Sequence, residues 1–310
     1  MTPVIQRLMQ LSRRHLLAVL AAAPALRAIE PQKLKIAITT DEIVDDLPGA
    51  IEFMHHYGLH YAEVRNLFGK YNTSLQPAKI QQARQMFDEA DIQVAVVDTG
   101  FFKTSVPTDD AAGRAKLDEQ WALLDRAIAN AKTFGADLIR TFAFTYPRGE
   151  QPDPANYPRI FELVAESARR AKKAGVRLAV ENVGRSYVST AADSAKLLAA
   201  VKDDALGLTW DPNNSAQMGD PDPFPTGYRM LDPDRIFHVH LRDYRRTPDG
   251  GAEWCGVGQG EFDHVGQIRA LLADGYTGPL SLETHFKIDG SKEKASAYSM
   301  THLLERIRKV

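Results

Sequence analysis

The sequence predicts a single α/β domain folded as a closed (β/α)₈ barrel, the TIM barrel. Its length of 310 residues suits one such barrel. Eight short apolar segments rich in β-branched residues recur along the chain, and the segments between them are long enough for helices. An open doubly wound sheet is the alternative. However, residues 38–42 at the end of the first segment contain no glycine, whereas dinucleotide-binding folds need a glycine-rich turn there.

The eight predicted strands begin at intervals close to the 30 or so residues that a strand, a helix and two turns require. Their ranges are 35–39, 61–65, 93–98, 137–142, 176–181, 205–211, 236–241 and 278–283. Helical periodicity is clearest over residues 117–134 and 157–174, and Gly175 follows the second range, where a helix C-cap is expected. Residues 211–235 contain five prolines and predict a loop over the barrel mouth.

Residues 1–28 are predicted to be a twin-arginine-type signal peptide, which leaves residues 29–310 for the barrel. Arg13 and Arg14 precede an apolar run, residues 16–25, that is too short to span a bilayer, so no stable membrane span is expected. Small residues follow where a signal peptidase would cut. The expected location is therefore periplasmic or secreted. If residues 1–28 instead form an amphipathic helix, the protein is cytoplasmic.

Charge and cysteine content argue against a nucleic-acid-binding protein and against a protein stabilised by internal disulfides. The chain has 38 Lys and Arg residues against 40 Asp and Glu residues, a formal net charge of −2. Removal of residues 1–28 takes away four arginines and no acidic residue, so the remaining chain is more acidic still. A nucleic-acid partner is not expected at this charge. Cys255 is the one cysteine, which excludes an internal disulfide.

The last four predicted strands carry the chemistry-bearing residues at the carboxyl ends, where such barrels place their active sites. Three of these strands end on Glu181, Asp211 and Glu283, and the fourth carries His238 and His240. Each residue alone has an ordinary structural explanation as a salt-bridge partner, a cap or a core histidine. Three carboxylates around one mouth repel each other, and a divalent cation would relieve that repulsion. Such oxygen-rich ligands favour Mn²⁺ or Mg²⁺, with Co²⁺ or Zn²⁺ as alternatives.

Four motifs make this pattern more specific: AVEN, WDPNN, HVHLRD and LETH at residues 179–182, 210–214, 238–243 and 282–285. Together they resemble the xylose isomerase-like TIM-barrel family of sugar isomerases and epimerases, over residues 35–307. The resemblance implies a divalent-metal site. Its ligands would be Glu181, Asp211, His240 and Glu283.

The resemblance also has departures that bear on the substrate. Arg246, six residues after the ligand histidine, matches an arginine of the ketose 3-epimerases. Asn214 stands where many members have a second histidine, and Tyr187 stands where the epimerases have a substrate-binding glutamate. The candidate substrate-binding residues are Arg246, Asn214, His238 and Trp254.

The function expected from these residues is metal-dependent proton transfer next to a carbonyl of a sugar or keto-sugar, as in an isomerase or epimerase. Glu181 and Glu283 are the expected acid/base pair, because carboxylates on two sides of a carbon can remove and return a proton. Two alternatives stay open: a dehydratase or lyase acting on a cyclitol or oxidised glycoside, and a non-catalytic sugar-binding protein. The expected partner is a small-molecule carbohydrate, and a homo-oligomer is not excluded.

Export is testable directly. We expect mass spectrometry of the periplasmic protein to find a new N-terminus between Leu26 and Pro31, because the small residues that end the apolar run lie there. Replacing both Arg13 and Arg14 by lysine abolishes export, whereas the control Arg7→Lys, outside the pair, leaves it intact. A cytoplasmic protein that still begins at Met1 contradicts the signal-peptide prediction.

Overall fold

The computed structural model describes residues 34–248 and 251–310; the predicted signal peptide lies outside these ranges. Eight parallel strands close into a barrel in the ring order β1–β2–β5–β6–β7–β8–β9–β12. The described strands are β1 Lys35–Thr39, β2 Tyr61–Val64, β3 Asn66–Leu67, β4 Lys70–Tyr71, β5 Gln93–Asp98, β6 Leu138–Thr141, β7 Arg177–Glu181, β8 Leu206–Trp210, β9 Ile236–Leu241, β10 Asp243–Arg246, β11 Ala252–Cys255 and β12 Pro279–Leu282. The predicted TIM barrel and all eight predicted barrel strands are confirmed.

Helices cover the outside of the barrel, as the alternation of elements predicts. They are α1 Leu47–His56, α2 Pro77–Glu89, α3 Ala111–Phe134, α4 Tyr157–Ala174, α5 Ala191–Ala200, α6 Pro212–Gln217, α7 His264–Ala273 and α8 Lys292–Ile307. Gly175 ends α4 in the left-handed conformation with φ of 76°, which confirms the predicted C-cap. In the described ranges, no helix combines the length and the apolar character that crossing a membrane requires.

The barrel strands are buried on both faces, which explains why they read as apolar runs rather than as alternating patterns. Their register brings the strand ends to one level. Glu181 pairs with Thr209 between β7 and β8, Trp210 pairs with Val239 between β8 and β9, and Leu282 pairs with Leu241 between β12 and β9. The residues that follow these pairs therefore meet at the same end of the barrel.

Three elements near the mouth differ from the sequence prediction. Residues 211–235 are not only a loop: Asp211 caps α6, which begins at Pro212 directly after β8. Two antiparallel hairpins, β3–β4 and β10–β11, follow the second and seventh barrel strands. The strands of the first hairpin are two residues long. A segment of that length is too short to show a hydrophobic period.

Close packing inside β8 gives a stability prediction. A Cβ at Gly207 would lie 2.6 Å from the Arg235 carbonyl oxygen and from the Phe237 ring. We expect Gly207→Ala to lower the free energy of unfolding by about 1–3 kcal/mol, the usual cost of overpacking. Gly100→Ala is the matched control, because nothing lies within 4 Å of a Cβ there. Urea denaturation measures both variants, and equal losses would contradict the packing explanation.

Candidate active site

Four side chains from successive strand ends meet at the carboxyl end of the barrel, and we call them the strand-end cluster: Glu181, Asp211, His240 and Glu283. Each has at most 3% of its surface exposed. One ligand atom from each lies within 4.8 Å of the others. His240 Nδ1 is 3.5 Å from Glu181 Oε1, 3.7 Å from Asp211 Oδ2 and 3.2 Å from Glu283 Oε2. The structure thus brings together the four residues predicted to bind a metal.

The His240 ring is oriented by a carboxylate of β2, three strands away from β9 along the barrel ring. Its Nε2 donates to Glu63 Oε1 at 2.9 Å, so Nδ1 faces the three carboxylates of the strand-end cluster. Burial alone would raise the pKa of Glu63, but the interactions with His240 and His238 lower it well below its usual range. At metal sites, a histidine commonly donates from one ring nitrogen to a carboxylate while its other ring nitrogen binds the ion.

The cluster fits a divalent cation. His240 Nδ1 is buried and has no hydrogen-bond partner among the described residues, and Glu283 Oε2 faces it at 3.2 Å. Buried polar atoms without partners are costly, and a cation between them would remove that cost. Neighbouring ligands of an ion with bonds of about 2.1 Å lie about 3 Å apart, close to the separations from His240 Nδ1. Three carboxylates and one imidazole are suitable ligands for Mg²⁺ or Mn²⁺.

Three arginines, rather than a cation alone, compensate the buried carboxylates. Arg140 Nη1 lies 3.2 Å from Glu181 Oε2, and Arg65 Nη1 donates to Glu283 Oε1 at 2.7 Å. Arg242 donates to Asp211 and also lies 2.9 Å from Glu283 Oε2. A divalent cation, which the sequence predicts as the group that relieves the carboxylate repulsion, would therefore share that role with the arginines.

These contacts decide the charge of the strand-end cluster. Burial alone would raise the pKa of Glu181, but Arg140 and His240 lower it overall. The pKa of Asp211 is likewise raised by burial and lowered overall by Arg242. The same balance holds the pKa of Glu283 well below its usual range. All three carboxylates are ionised at neutral pH and available as ligands or bases.

The mouth forms a cavity of about 560 Å³ above the cluster. Two of the predicted substrate-binding residues line it. Asn214 Nδ2 donates to Glu181 Oε1 at 3.1 Å, and the Trp254 ring lies 4.5 Å from the Arg242 guanidinium carbon. Both side chains are therefore positioned to contact a bound molecule.

The other two predicted substrate-binding residues lie outside the cavity lining. His238 is fully buried in a deeper layer, with Nε2 2.8 Å from Ser281 Oγ, and burial lowers its pKa to about 4. Arg246 donates to the carbonyl oxygens of Asp220 and Pro221 on the loop that follows α6. The two histidines of β9 thus differ in position: His240 belongs to the strand-end cluster, and His238 lies below it.

Sequence reasoning missed the residues that compensate this site. Arg65 ends the predicted strand 61–65, which also contains Glu63. Arg140 lies inside the predicted strand 137–142. Arg140 is 2% exposed and pairs with the fully buried Asp98. The signal that could have identified Arg140 is its position inside an apolar strand. A charged residue that is buried there requires a partner of opposite charge.

Part of the chain is similar to a known enzyme. A mannonate dehydratase of Saccharophagus degradans is 33% identical over 123 residues, which cover 37% of this chain and 30% of that enzyme. The match thus spans less than a third of the curated relative.

Two solved structures share the fold over most of the chain. A xylose isomerase-like TIM barrel protein from Mycobacterium smegmatis, in complex with magnesium, is 19% identical and has a TM-score of 0.70, with 91% of this chain and 99% of that chain covered. An L-ribulose 3-epimerase is 18% identical with a TM-score of 0.70, and 89% and 95% of the two chains are covered.

The family profile extends across the barrel. The sequence profile described as xylose isomerase-like TIM barrel matches residues 51–306, from α1 to α8. That range includes every member of the strand-end cluster and the closing strand of the barrel. The chain belongs to the xylose isomerase-like TIM-barrel family.

Proposed function

We propose that the protein is a divalent-metal-dependent isomerase or epimerase that moves a proton next to a carbonyl of a sugar or keto-sugar. The observation that carries the proposal is the position of two ionised carboxylates. Glu181 and Glu283 both border the cavity, from strands β7 and β12, and both belong to the strand-end cluster. Asp211 and His240 lie between them along the barrel ring.

Glu181, Asp211, His240 and Glu283 would hold the ion. When bound, a divalent cation polarises a carbonyl oxygen and makes the neighbouring C–H group more acidic. Glu181 and Glu283 then serve as the groups that accept and return the proton. Their low pKa values make them weak bases, so they suit a C–H group that has been acidified and release the proton readily.

Neighbouring side chains fix the two carboxylates in place. Glu181 accepts from Asn214 Nδ2 and lies against Arg140, while Glu283 accepts from Arg65 and lies against Arg242. Each carboxylate is therefore oriented by at least two charged or polar neighbours before a substrate arrives. Such preorganisation reduces the reorganisation needed during proton transfer. Trp254 offers an aromatic face at the cavity wall, which suits the apolar side of a carbohydrate ring.

Dehydration is the second candidate, because it begins with the same proton transfer. The His285 side chain borders the cavity with about a third of its surface exposed, and its Nδ1 lies 3.1 Å from Glu42 Oε1. In an elimination, a carboxylate takes the proton from carbon, the C–O bond breaks, and His285 supplies a proton so that the hydroxyl leaves as water. The similarity to a mannonate dehydratase supports this candidate. Product analysis by NMR separates an isomer from a dehydrated product.

Metal content tests the ligand assignment. We expect wild-type protein to hold one divalent ion per chain and Asp211→Asn to lose at least about 10- to 100-fold in metal affinity, since even changes outside the ligand set cost that much. Asparagine keeps an oxygen to accept from the amides of Asn213 and Asn214, so α6 keeps its cap. Asp234→Asn, an exposed site, is the control. Equal metal contents in wild type and Asp211→Asn would contradict the assignment.

The acid/base assignment is tested by proton exchange in heavy water. We expect Glu283→Gln to slow deuterium incorporation at the substrate C–H by about 10²- to 10⁴-fold, the usual effect of losing a general base. Metal content is measured alongside, so that loss of a base is separated from loss of the ion. Glu261→Gln, an exposed substitution beside Arg246, is the control. A Glu283→Gln protein that keeps its metal and exchanges at the wild-type rate rules out the two-base mechanism.

A further inference from the structure

The cavity is lined by more basic groups than acidic ones, although the chain as a whole is slightly acidic. Three of the basic groups are the arginines that pair with buried carboxylates. Two others are Lys103 and Arg185, and neither has an acidic side chain within ion-pair distance among residues 34–248 and 251–310. The Lys103 ammonium instead lies 4.5 Å from the centre of the Phe142 ring. Within the described ranges, the cavity thus presents two cationic side chains that form no ion pair with a carboxylate.

Backbone hydrogen bonds connect the three loops that carry or flank Lys103 and Arg185. Phe144 N donates to Phe102 O at 2.9 Å and Thr145 N donates to Thr104 O at 2.8 Å, on either side of Lys103. Tyr146 N donates to Arg185 O at 3.0 Å. The loops after β5, β6 and β7 therefore form one connected rim, and both cations belong to it.

A third donor inside the cavity also lacks an acceptor. Arg242 is 2% exposed and borders the cavity, and its Nη1 is buried with no hydrogen-bond partner in the described part of the chain. Its other nitrogens already contact Asp211 and Glu283. A buried guanidinium donor without an acceptor is costly, so an oxygen-rich bound molecule would be stabilised here.

We infer that Lys103 and Arg185 bind a carboxylate group of the substrate, so that the enzyme selects acidic sugars over their neutral counterparts. The inference rests on the proposed function, which places the reacting carbonyl at the strand-end cluster. Charge-assisted hydrogen bonds from an ammonium and a guanidinium to a carboxylate are among the stronger polar contacts in proteins. Lys103 is exposed to solvent at the mouth, and the part of its side chain that the cavity desolvates lowers its pKa, with smaller effects from Glu181 and Arg140.

A phosphate group fits this mouth less well. Barrels that bind phosphate use free backbone amides of glycine-containing loops after the last strands. The corresponding segment here already donates to a carboxylate within the chain: Gly258 N and Gly260 N donate to Asp243 Oδ2, and Phe262 N donates to Asp243 Oδ1. Asp193 closes the capping box at the start of α5, the helix that follows the loop of Arg185.

Matched pairs of sugars test the inference on the full, Mg²⁺-loaded chain. Ligand-observed NMR titrations compare D-glucuronate with D-glucose and D-galacturonate with D-galactose. D-glucose 6-phosphate is titrated as well, to compare a phosphate ester with the two uronates. In each pair the acid and its neutral partner differ only in the carboxylate. We expect each uronate to bind at least about tenfold more tightly than its neutral partner, with an advantage that shrinks as NaCl rises.

Substitutions assign the preference to the rim. We expect Lys103→Gln and Arg185→Gln each to weaken uronate binding by about three- to tenfold, and the double variant by more, while binding of neutral sugars and metal content stay unchanged. Lys173→Gln and Arg308→Gln, exposed changes near the carboxyl ends of α4 and α8, are the matched controls. A carboxylate that bound only through the metal would keep its advantage in the rim variants, and that result overturns the inference.

The remaining outcomes also decide the matter. A protein that binds no uronate more tightly than its neutral partner, including one that binds neither, overturns the inference, as does tighter binding of the phosphate ester. Failure of the proposed function would be seen separately, as absence of metal-dependent C–H exchange in heavy water. The titrations measure affinity without turnover, so they report on the rim cations in either case.

Discussion

Burial of several carboxylates at one end of the barrel is the constraint on which the rest of the mouth depends. Glu181, Asp211 and Glu283 are nearly inaccessible to solvent, and each would be costly there without a compensating charge. The chain supplies that charge through Arg65, Arg140 and Arg242, which follow or belong to three different strands of the barrel ring. Because the partners come from different strands, the barrel must be closed before the charges are balanced, and this ties the fold to the site.

The rim of the cavity uses backbone conformations that L-residues adopt rarely. Phe102, Phe144 and Arg185 have φ between 59° and 60°, and His285 has φ of 54°. Such conformations cost free energy and persist where surrounding contacts hold them. Here the hydrogen bonds between the three loops, together with stacking of the Phe102 and Phe144 rings at 4.1 Å, hold the rim. These backbone contacts fix the positions from which Lys103 and Arg185 extend, and both side chains border the cavity.

The sequence predicted the barrel and the strand-end cluster because both depend on local patterns. Apolar runs at regular intervals identify parallel strands, and an acid at the end of such a run stands out. The compensating contacts could not be predicted in the same way, since Arg65 and Glu283 are 218 residues apart and only closure of the barrel makes them neighbours. The positive φ angles of the rim could not be predicted from the sequence either. Glycine usually occupies such positions, but here Phe102, Phe144 and Arg185 do.

The arginines and His240 contact the buried carboxylates from different sides, and this arrangement limits what a metal ion would contribute. Arginines already neutralise much of the charge on the buried carboxylates, so the barrel does not depend on a cation to relieve their repulsion. On the side of the cluster that faces His240 Nδ1, buried polar atoms remain without a hydrogen bond to any described residue. That face borders the site of proposed proton transfer. The geometry thus separates two roles: arginines stabilise the folded mouth, and a cation beside His240 would serve the chemistry.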